Sequence, residues 1–219
     1  MDAMKLLLEE AGEQGLLDSV RGISSLTVKD VDAKVWAAED WREVLKWEGH
    51  LEMLLAHQPD GYCEGILAKF SNARRSGYSA TGSSEHARSF IALEERRVTV
   101  LGELERFRDQ GQGMCSVANV IFILGNPREA ARWFQLARDV GKAHGLFAVE
   151  GRACQGLGTV AMQDGRTEKG LALLRNALEA AKLNEMDDLE FQLGALVALI
   201  DALFIAQKFD ELELDELVP

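Results

Sequence analysis

The sequence predicts an all-α fold built from stacked pairs of helices. Two observations predict it. The 219 residues include only three prolines, and Ala, Leu, Glu and Arg dominate while β-branched runs are scarce, a composition that favours helices throughout. Turn signals also recur about every forty residues, and a period of this length is typical of stacked helical hairpins.

Five turn signals divide the chain. They lie at 39–44, 82–87, 125–130, 165–170 and 207–212, with offsets of 40 to 43 residues. Each is followed by an amphipathic helical pattern, and those from residue 125 onward are also preceded by one. One hairpin cannot bury its apolar face alone, so repeated hairpins must stack on their neighbours.

The segments between these signals are assigned in chain order to a single domain, 1–219. Residues 1–80 predict divergent N-terminal helices, because they fit the repeat pattern at only one point. The polar stretch SGYSATGSS at 76–84 predicts an enlarged loop, and 83–113 predicts one long helix. Clearer repeats follow at 114–146, 147–186 and 188–217.

One helix start is marked by its local residues. Asn126, Pro127 and Glu129 supply a capping side chain, a first-turn proline and a carboxylate that can bond back to the cap. Gly125 directly before them suits the end of the preceding helix. The repeating unit is therefore a helix, a tight turn and a second helix.

The stretch GLGTVA at 156–161 matches the G-x-G-x-x-A pattern of a dinucleotide-binding turn. Such a turn follows a strand and opens a helix, where free N–H groups meet the phosphates. The repeat alignment instead places Gly156 and Gly158 in the middle of a helix. We therefore interpret them as contact points between helices, with Gly158 facing Gly170 and Leu174 packed nearby.

These residues resemble the tetratricopeptide repeat (TPR) family, in its longer variant of about 40 to 42 residues. That family has a bulky and small pair, a large residue and a turn glycine in the first helix, then small, aromatic and small positions in the second. The matching residues are Val117, Ala118, Ile121, Gly125, Ala130, Phe134 and Ala137, and then Leu157, Gly158, Ala161, Gly165, Gly170, Leu174 and Ala177. The resemblance implies a right-handed superhelical solenoid of about four to five antiparallel hairpins.

The resemblance also implies where a partner binds. In that family the first helix of each pair lines the concave face, where an extended peptide or a partner helix lies. The corresponding positions in this chain are Gln112, Asn119, Phe122, Arg152, Gln155, Thr159, Met162, Asp201 and Phe204. Asn and Gln amides can bond to a ligand's backbone, and Arg152 can clamp a carboxylate.

Charge and composition limit the partners. The net charge is −12, with −7 over residues 1–60, +2 over 61–150 and −7 over 151–219, which disfavours nucleic acid. Three cysteines without C-x-x-C spacing indicate reduced thiols of a cytoplasmic protein. The N-terminus is acidic, and the longest apolar stretch, 193–206, is too short for a bilayer. We expect an acidic cytoplasmic protein that does not insert into membranes.

Motifs of catalysis and metal binding are missing from the sequence. It contains no G-x-S-x-G, H-E-x-x-H or P-loop pattern, and its histidines lack a second His or Cys at i+3 or i+4. We therefore expect a non-enzymatic scaffold or adaptor without cofactor or metal, which binds a protein or peptide. Two alternatives stay open: a regulatory protein that senses a peptide or small ligand, which ordering of the 76–84 loop would favour, and a helical enzyme.

Overall fold

The computed structural model describes residues 27–183 and 189–206, which contain helices and turns and no strand. The chain divides into two compact units, Met1–Gln58 and Pro59–Pro219. The helices of the first unit are α1 (Val28–Ala37), α2 (Trp41–Leu45) and α3 (Leu51–Leu55), with a 3-10 turn at Glu48–His50. Those of the second are α4 (Asp60–Thr81), α5 (Ser84–Glu103), α6 (Phe107–Ile123), α7 (Pro127–Ala143), α8 (Phe147–Gln163), α9 (Thr167–Lys182) and α10 (Leu189–Ala206).

The described part of the first unit contains three short helices, and side chains cap the starts of the first two. The Thr27 hydroxyl accepts from the Asp30 N–H at 3.3 Å, and the Asp30 carboxylate accepts from the Thr27 N–H at 2.9 Å, a capping box. The Thr27 hydroxyl also donates to the Asp30 carboxylate at 2.7 Å, and this bond, together with the one from the Thr27 N–H, lowers the pKa of Asp30. Asp40 caps α2 by accepting from the Arg42 N–H at 2.7 Å, so the turn signal at 39–44 is a helix start.

The second unit is a stack of helix pairs. Three complete pairs, α4/α5, α6/α7 and α8/α9, are followed by α10, and each helix packs against the next along the chain. Turns of a few residues join the members of each pair, so paired helices run antiparallel. Gly82, Gly125 and Gly165 end the first helices with φ of 67°, 84° and 74°, where only glycine avoids strain. The predicted turns at these three places are confirmed, and the one at 207–212 lies outside the described residues.

The predicted contact positions form the core of the second unit. Phe134 and Leu174 are 2% and 1% exposed. The small residues predicted four positions before and three positions after each of these two residues are buried as well, and Leu157 is half-buried. The pattern read from the sequence therefore identifies the residues that hold neighbouring helices together.

Asn126 caps α7 as predicted, with Pro127 in the first turn. Its side-chain oxygen accepts from the Glu129 N–H at 3.4 Å. The return bond differs from the expected one, because the Glu129 carboxylate accepts from the side-chain amide of Asn126. The two side chains still close the helix end.

The predicted loop at 76–84 is wrong, because α4 continues to Thr81. Buried Phe70, Ala73 and Gly77 continue the helical spacing of the core face. Gly77 gives room to His86 of α5, whose ring lies 3.0 Å from where a Cβ would be. Tertiary packing thus outweighs the low helix propensity of Gly and Ser in this stretch.

The predicted long helix at 83–113 is also wrong, because α5 ends at Glu103 and α6 begins at Phe107. Glu105 adopts a φ of 55° between them. The Arg106 N–H then reaches the Leu101 carbonyl at 2.9 Å, the closing bond of a Schellman turn. Gly145 stands forty residues later with φ 65°, so Glu105 occupies a position that glycine normally fills, and the sequence carries no breaker there.

Candidate functional site

The first helices of successive pairs line a pocket of about 540 Å³, which we call the groove pocket. Helices α6 and α8 supply most of its surface, α4 and α10 border it, and α7 contributes one ring. The lining residues are Arg75, Gln112, Cys115, Ser116, Asn119, Phe122, Phe134, Arg152, Gln155, Gly156, Thr159, Phe191 and Gly194.

Six of the nine positions predicted for the concave face line this pocket: Gln112, Asn119, Phe122, Arg152, Gln155 and Thr159. Residues 152, 155 and 159 share one face of α8 because i, i+3 and i+7 recur at nearly the same angle. Residues 112 and 119 are related in the same way on α6. Whether they bind a partner stays a prediction, but the structure brings them together.

The other three predicted positions lie outside the pocket. Met162 turns its thioether toward Gly170, where an added Cβ would lie 2.6 Å from the sulphur. Asp201 and Phe204 are exposed on α10, at seven and ten residues beyond the lining residue Gly194. At about 1.5 Å per residue they lie ~10 and ~15 Å farther along the helix axis.

The groove pocket has aromatic walls that the sequence did not predict. Phe134 reaches in from the second helix of its pair, because Gly156 leaves space for the ring. A Cβ at Gly156 would lie 2.3 Å from two ring carbons of Phe134. Phe191 of α10 lines the other side. The contact between this ring and this glycine is a tertiary feature, and Gly156 is the one signal in the sequence that could have indicated it.

The groove pocket carries positive charge. Arg75 and Arg152 line it, and among the described residues no Asp or Glu does. The Arg152 guanidinium lies 5.4 Å from the centre of the Phe191 ring, a cation–π distance. The sequence did not predict Arg75 as a groove residue, because a loop was expected to begin at residue 76, whereas Arg75 lies within α4.

Several polar groups of the pocket are open to a ligand, and others hold the pocket together. The side chains of Arg75, Gln112 and Asn119 form no hydrogen bond or ion pair with the described part of the chain. Gln155, by contrast, donates to the Gly194 carbonyl at 3.2 Å and ties α8 to α10. Thr159 donates to the carbonyl of residue 155 within its own helix at 3.1 Å.

Cys115 lies at the bottom of the pocket as a buried thiol. Burial raises the pKa of this thiol to about 12, although the nearby Arg152 opposes the shift. A thiol with so high a pKa stays protonated at neutral pH and is a poor nucleophile. Cys115 therefore acts as a small apolar residue of the pocket floor.

A buried ion network fixes α4, α5 and α6, the helices that carry Arg75 and Gln112. Arg97 donates to Glu64 and to Glu94, each at 2.8 Å, and Arg106 donates to Glu64 at 2.8 Å. The Ser71 hydroxyl donates to Glu94 at 2.6 Å. Burial by itself would lower the pKa of Arg97, but the two carboxylates together have the larger effect, so the pKa is raised. Such paired charges keep these helices in one arrangement.

Gly156 and Gly158 are confirmed as helix contacts. Both lie inside α8, so their N–H groups belong to a continuing helix rather than to a free N-terminus. A Cβ at Gly158 would lie 2.8 Å from Leu174 and 3.1 Å from the Gly170 carbonyl oxygen. The two glycines therefore let α8 approach α7 and α9 closely, and GLGTVA does not form a phosphate-binding turn.

Two of the described histidines lie against aromatic rings. His144 stacks on Phe107 with ring centres 3.6 Å apart, and His50 lies 5.9 Å from Trp47. Within residues 27–183 and 189–206, no three His, Cys, Asp or Glu side chains are grouped as a metal site requires. None of the helices in these ranges combines the length and the apolar character needed to cross a bilayer.

No protein-family model and no curated protein matches this sequence. Solved structures match it in fold. The crystal structure of BtubC (BKLC) from P. vanneervenii has 14% identity and a TM-score of 0.61, covering 93% of this chain and 81% of that one. The nearly identical TPR-like repeats of a putative kinesin light chain from Podosopora anserina give 14% identity and a TM-score of 0.53, covering 84% and 82%.

A variant of the same Podosopora anserina protein gives 15% identity and a TM-score of 0.54 over the same shares of both chains. Identities this low show the fold alone. Together with the helix pairs described above, they show that this chain has a TPR-like helical repeat fold. This confirms the all-α, solenoid prediction made from the turn spacing.

Proposed function

We propose that this protein is a non-enzymatic interaction module that binds a peptide segment of a partner protein in the groove pocket. The observation that carries the proposal is the pocket's lining. Two arginines, two unpaired amides and three phenylalanines face one cavity of about 540 Å³, a size typical of binding sites.

The lining suits an extended peptide that carries a carboxylate. The amides of Gln112 and Asn119 can each donate to and accept from a peptide backbone, whatever its side chains. Arg75, which has no ion pair with the described part of the chain, and Arg152 both supply positive charge to the pocket, so an acidic residue of the partner gains a charge-assisted bond. Half-buried Phe122 offers apolar surface for its neighbours, and the buried rings of Phe134 and Phe191 form the wall behind it.

The proposal includes a cytoplasmic location and excludes nucleic acid as the general partner. Cys63, Cys115 and Cys154 are free thiols, as is usual in a reducing compartment. The net charge of −12 repels phosphate backbones. Ordering of a loop at 76–84 on binding would have favoured the alternative of a ligand sensor, but those residues are largely helix α4, so the interaction module is the better-supported function.

A peptide library tests this proposal. We would select displayed random peptides on the purified protein, then measure binding of the best peptide by fluorescence anisotropy. Asn119→Ala combined with Arg152→Ala removes one amide and one guanidinium from the groove, and we expect a loss of about tenfold or more, the effect of one charged hydrogen bond. We also expect the selected peptides to be enriched in Asp or Glu.

The matched control is Arg88→Ala combined with Gln163→Ala. Both residues are exposed and neither lines the groove pocket, so the control loses the same two chemical groups elsewhere. Circular dichroism checks that helicity is unchanged in both variants. Undiminished binding by the groove variant, or an equal loss in the control, would refute binding in the groove.

A further inference from the structure

A second cavity of about 300 Å³ lies between α7, α8 and α9, and we call it the back pocket. Its floor is apolar and includes Leu157 and Val160 of α8 and Leu173 of α9. Since each residue advances about 100°, Leu157 lies about 140–160° around the helix from Arg152, Gln155 and Thr159, and Val160 lies about 80–140° from them. The back pocket thus opens on a different side of α8 from the groove pocket.

The rim of the back pocket is cationic. Arg132 and Arg138 reach it from α7, and Arg166 and Lys169 reach it from the start of α9. Among the described residues no Asp or Glu lines the cavity. Four cations around one small cavity are unusual in a chain with a net charge of −12, because acidic residues are available in excess to pair with them.

Three of these cations have no carboxylate partner. Arg132 and Lys169 are exposed and form no hydrogen bond or ion pair with any part of the chain that the structure describes. The Nε of Arg138 is buried and likewise has no hydrogen-bond partner in that part of the chain. Arg166 is held by Asp164, with 2.6 Å between the guanidinium and the carboxylate. The guanidinium of Arg138 also bonds to the Cys154 thiol, but its buried Nε–H lacks an acceptor, which is costly, so an acceptor from outside the chain would stabilise this arrangement.

The backbone adds to the positive potential. Arg166 precedes α9 and Lys169 lies in its first turn, so both stand at the helix end where N–H groups lack partners. Helix α9 is 16 residues long, and its dipole places partial positive charge at this end. The helix end and the four side chains therefore favour the same kind of ligand, an anion.

We propose that the back pocket binds a phosphate-bearing ligand, in addition to the peptide site proposed for the groove. A phosphate group carries nearly two negative charges and several acceptor oxygens, which matches several cations better than one carboxylate does. Arginine forks fit its geometry. The apolar floor then receives the group attached to the phosphate, so a phosphorylated side chain with apolar neighbours, or a small phosphate ester, is the class of ligand that fits.

The test is a nuclear magnetic resonance titration of backbone amides, which reports both affinity and location. The probes are inorganic phosphate and a tripeptide with phosphoserine between two leucines. The same tripeptide with serine, and with glutamate, serves for comparison at equal ionic strength. We expect saturable shifts in α7 and in the first turn of α9 with both phosphate probes, and weaker binding of the serine and glutamate peptides.

Arg132→Gln combined with Lys169→Gln tests the rim without disturbing the core, because both side chains are exposed. We expect this variant to lose phosphate binding by about tenfold or more. Arg88→Gln combined with Arg128→Gln removes the same charge at exposed positions outside the cavity, and we expect less than a twofold change. Groove-peptide binding should be unaffected by either variant, which separates this proposal from the first.

Each outcome decides the proposal. Tighter binding of the phosphopeptide than of inorganic phosphate assigns the site to phosphorylated protein segments, and equal binding assigns it to small phosphate compounds. No saturable shift at millimolar phosphate, glutamate binding as tight as phosphoserine, or equal losses in the rim and control variants would each overturn it.

Discussion

Replacing Gly156 with alanine places a methyl group where the Phe134 ring now lies. The new Cβ would stand 2.3 Å from Cε1 and Cζ and 2.6 Å from Cδ1 of that ring, about 1 Å inside normal contact at about 3.5 Å. Phe134 is 2% exposed and belongs to the core between α6, α7 and α8. The ring therefore cannot swing into solvent without leaving that core.

Two opposing effects set the magnitude. Alanine favours a helix interior over glycine by about 1 kcal/mol, whereas overpacking a buried site costs about 1–3 kcal/mol. The net change in the free energy of unfolding should lie between zero and a loss of about 2 kcal/mol. Gly194→Ala is the matched control, because Gly194 also lies inside a helix and an added Cβ meets nothing within 4 Å.

The assay is denaturant unfolding followed by circular dichroism, with all variants compared at the same conditions. We expect Gly194→Ala to stabilise the protein by up to about 1 kcal/mol, so the two variants should differ by about 1–3 kcal/mol, the cost of overpacking. Adding Phe134→Leu to Gly156→Ala should lose less than the two single changes summed. If Gly156→Ala stabilises the protein as much as Gly194→Ala does, the contact of ring and glycine is not what we describe.

Three further predictions follow from single residues. Glu105→Gly should raise the free energy of unfolding by about 0.5–1 kcal/mol, since relief of the positive φ exceeds the entropy of glycine; a loss on denaturant unfolding would contradict the strained turn. Arg97→Met should lower the free energy of unfolding by about 3–5 kcal/mol, because it leaves the buried Glu94 charge unpaired. The Arg106 side chain is 46% exposed, so Arg106→Met should lower it by at most about 1 kcal/mol, and equal losses in the two variants would argue against the network. The pKa of the Cys115 thiol is raised from 9.0 to about 12, so the thiol ionises at lower pH in the unfolded chain, and the free energy of unfolding should fall as pH rises above 9, by up to ~1.4 kcal/mol per pH unit. Cys115→Ala should reduce that slope, and an unchanged slope would show that this thiol is not responsible.

The helix pairs and their core could be predicted because their signals are local. Gly125 and Gly165 end helices through their own backbone freedom, and Asn126 starts one by capping its own first turn. The spacing of Phe134 and of Leu174 from these turns gives the buried face. None of these inferences depends on which other helix is nearby.

The two errors in secondary structure arose where tertiary contacts outweigh local preference. Residues 76–81 contain Gly and Ser yet remain helical, because Gly77 packs against His86 of the next helix. Glu105 ends a helix without being glycine, because the stacking of α6 on α5 requires a turn there. Neither contact can be read from the neighbouring residues in the sequence.

The candidate sites also divide into features that the sequence predicts and features that tertiary packing decides. By itself the sequence determined the repeat, its glycine turns and its core positions, because these follow from helical period and turn chemistry. Six of the residues that line the groove pocket came from the resemblance to the TPR family. Only the tertiary structure brought Phe134 over Gly156, carried Arg75 into the groove, and joined the cations of α7 and α9 around one cavity. The physical reason is that a pocket depends on distances between side chains of different helices, and these are decided by how closely the helices pack.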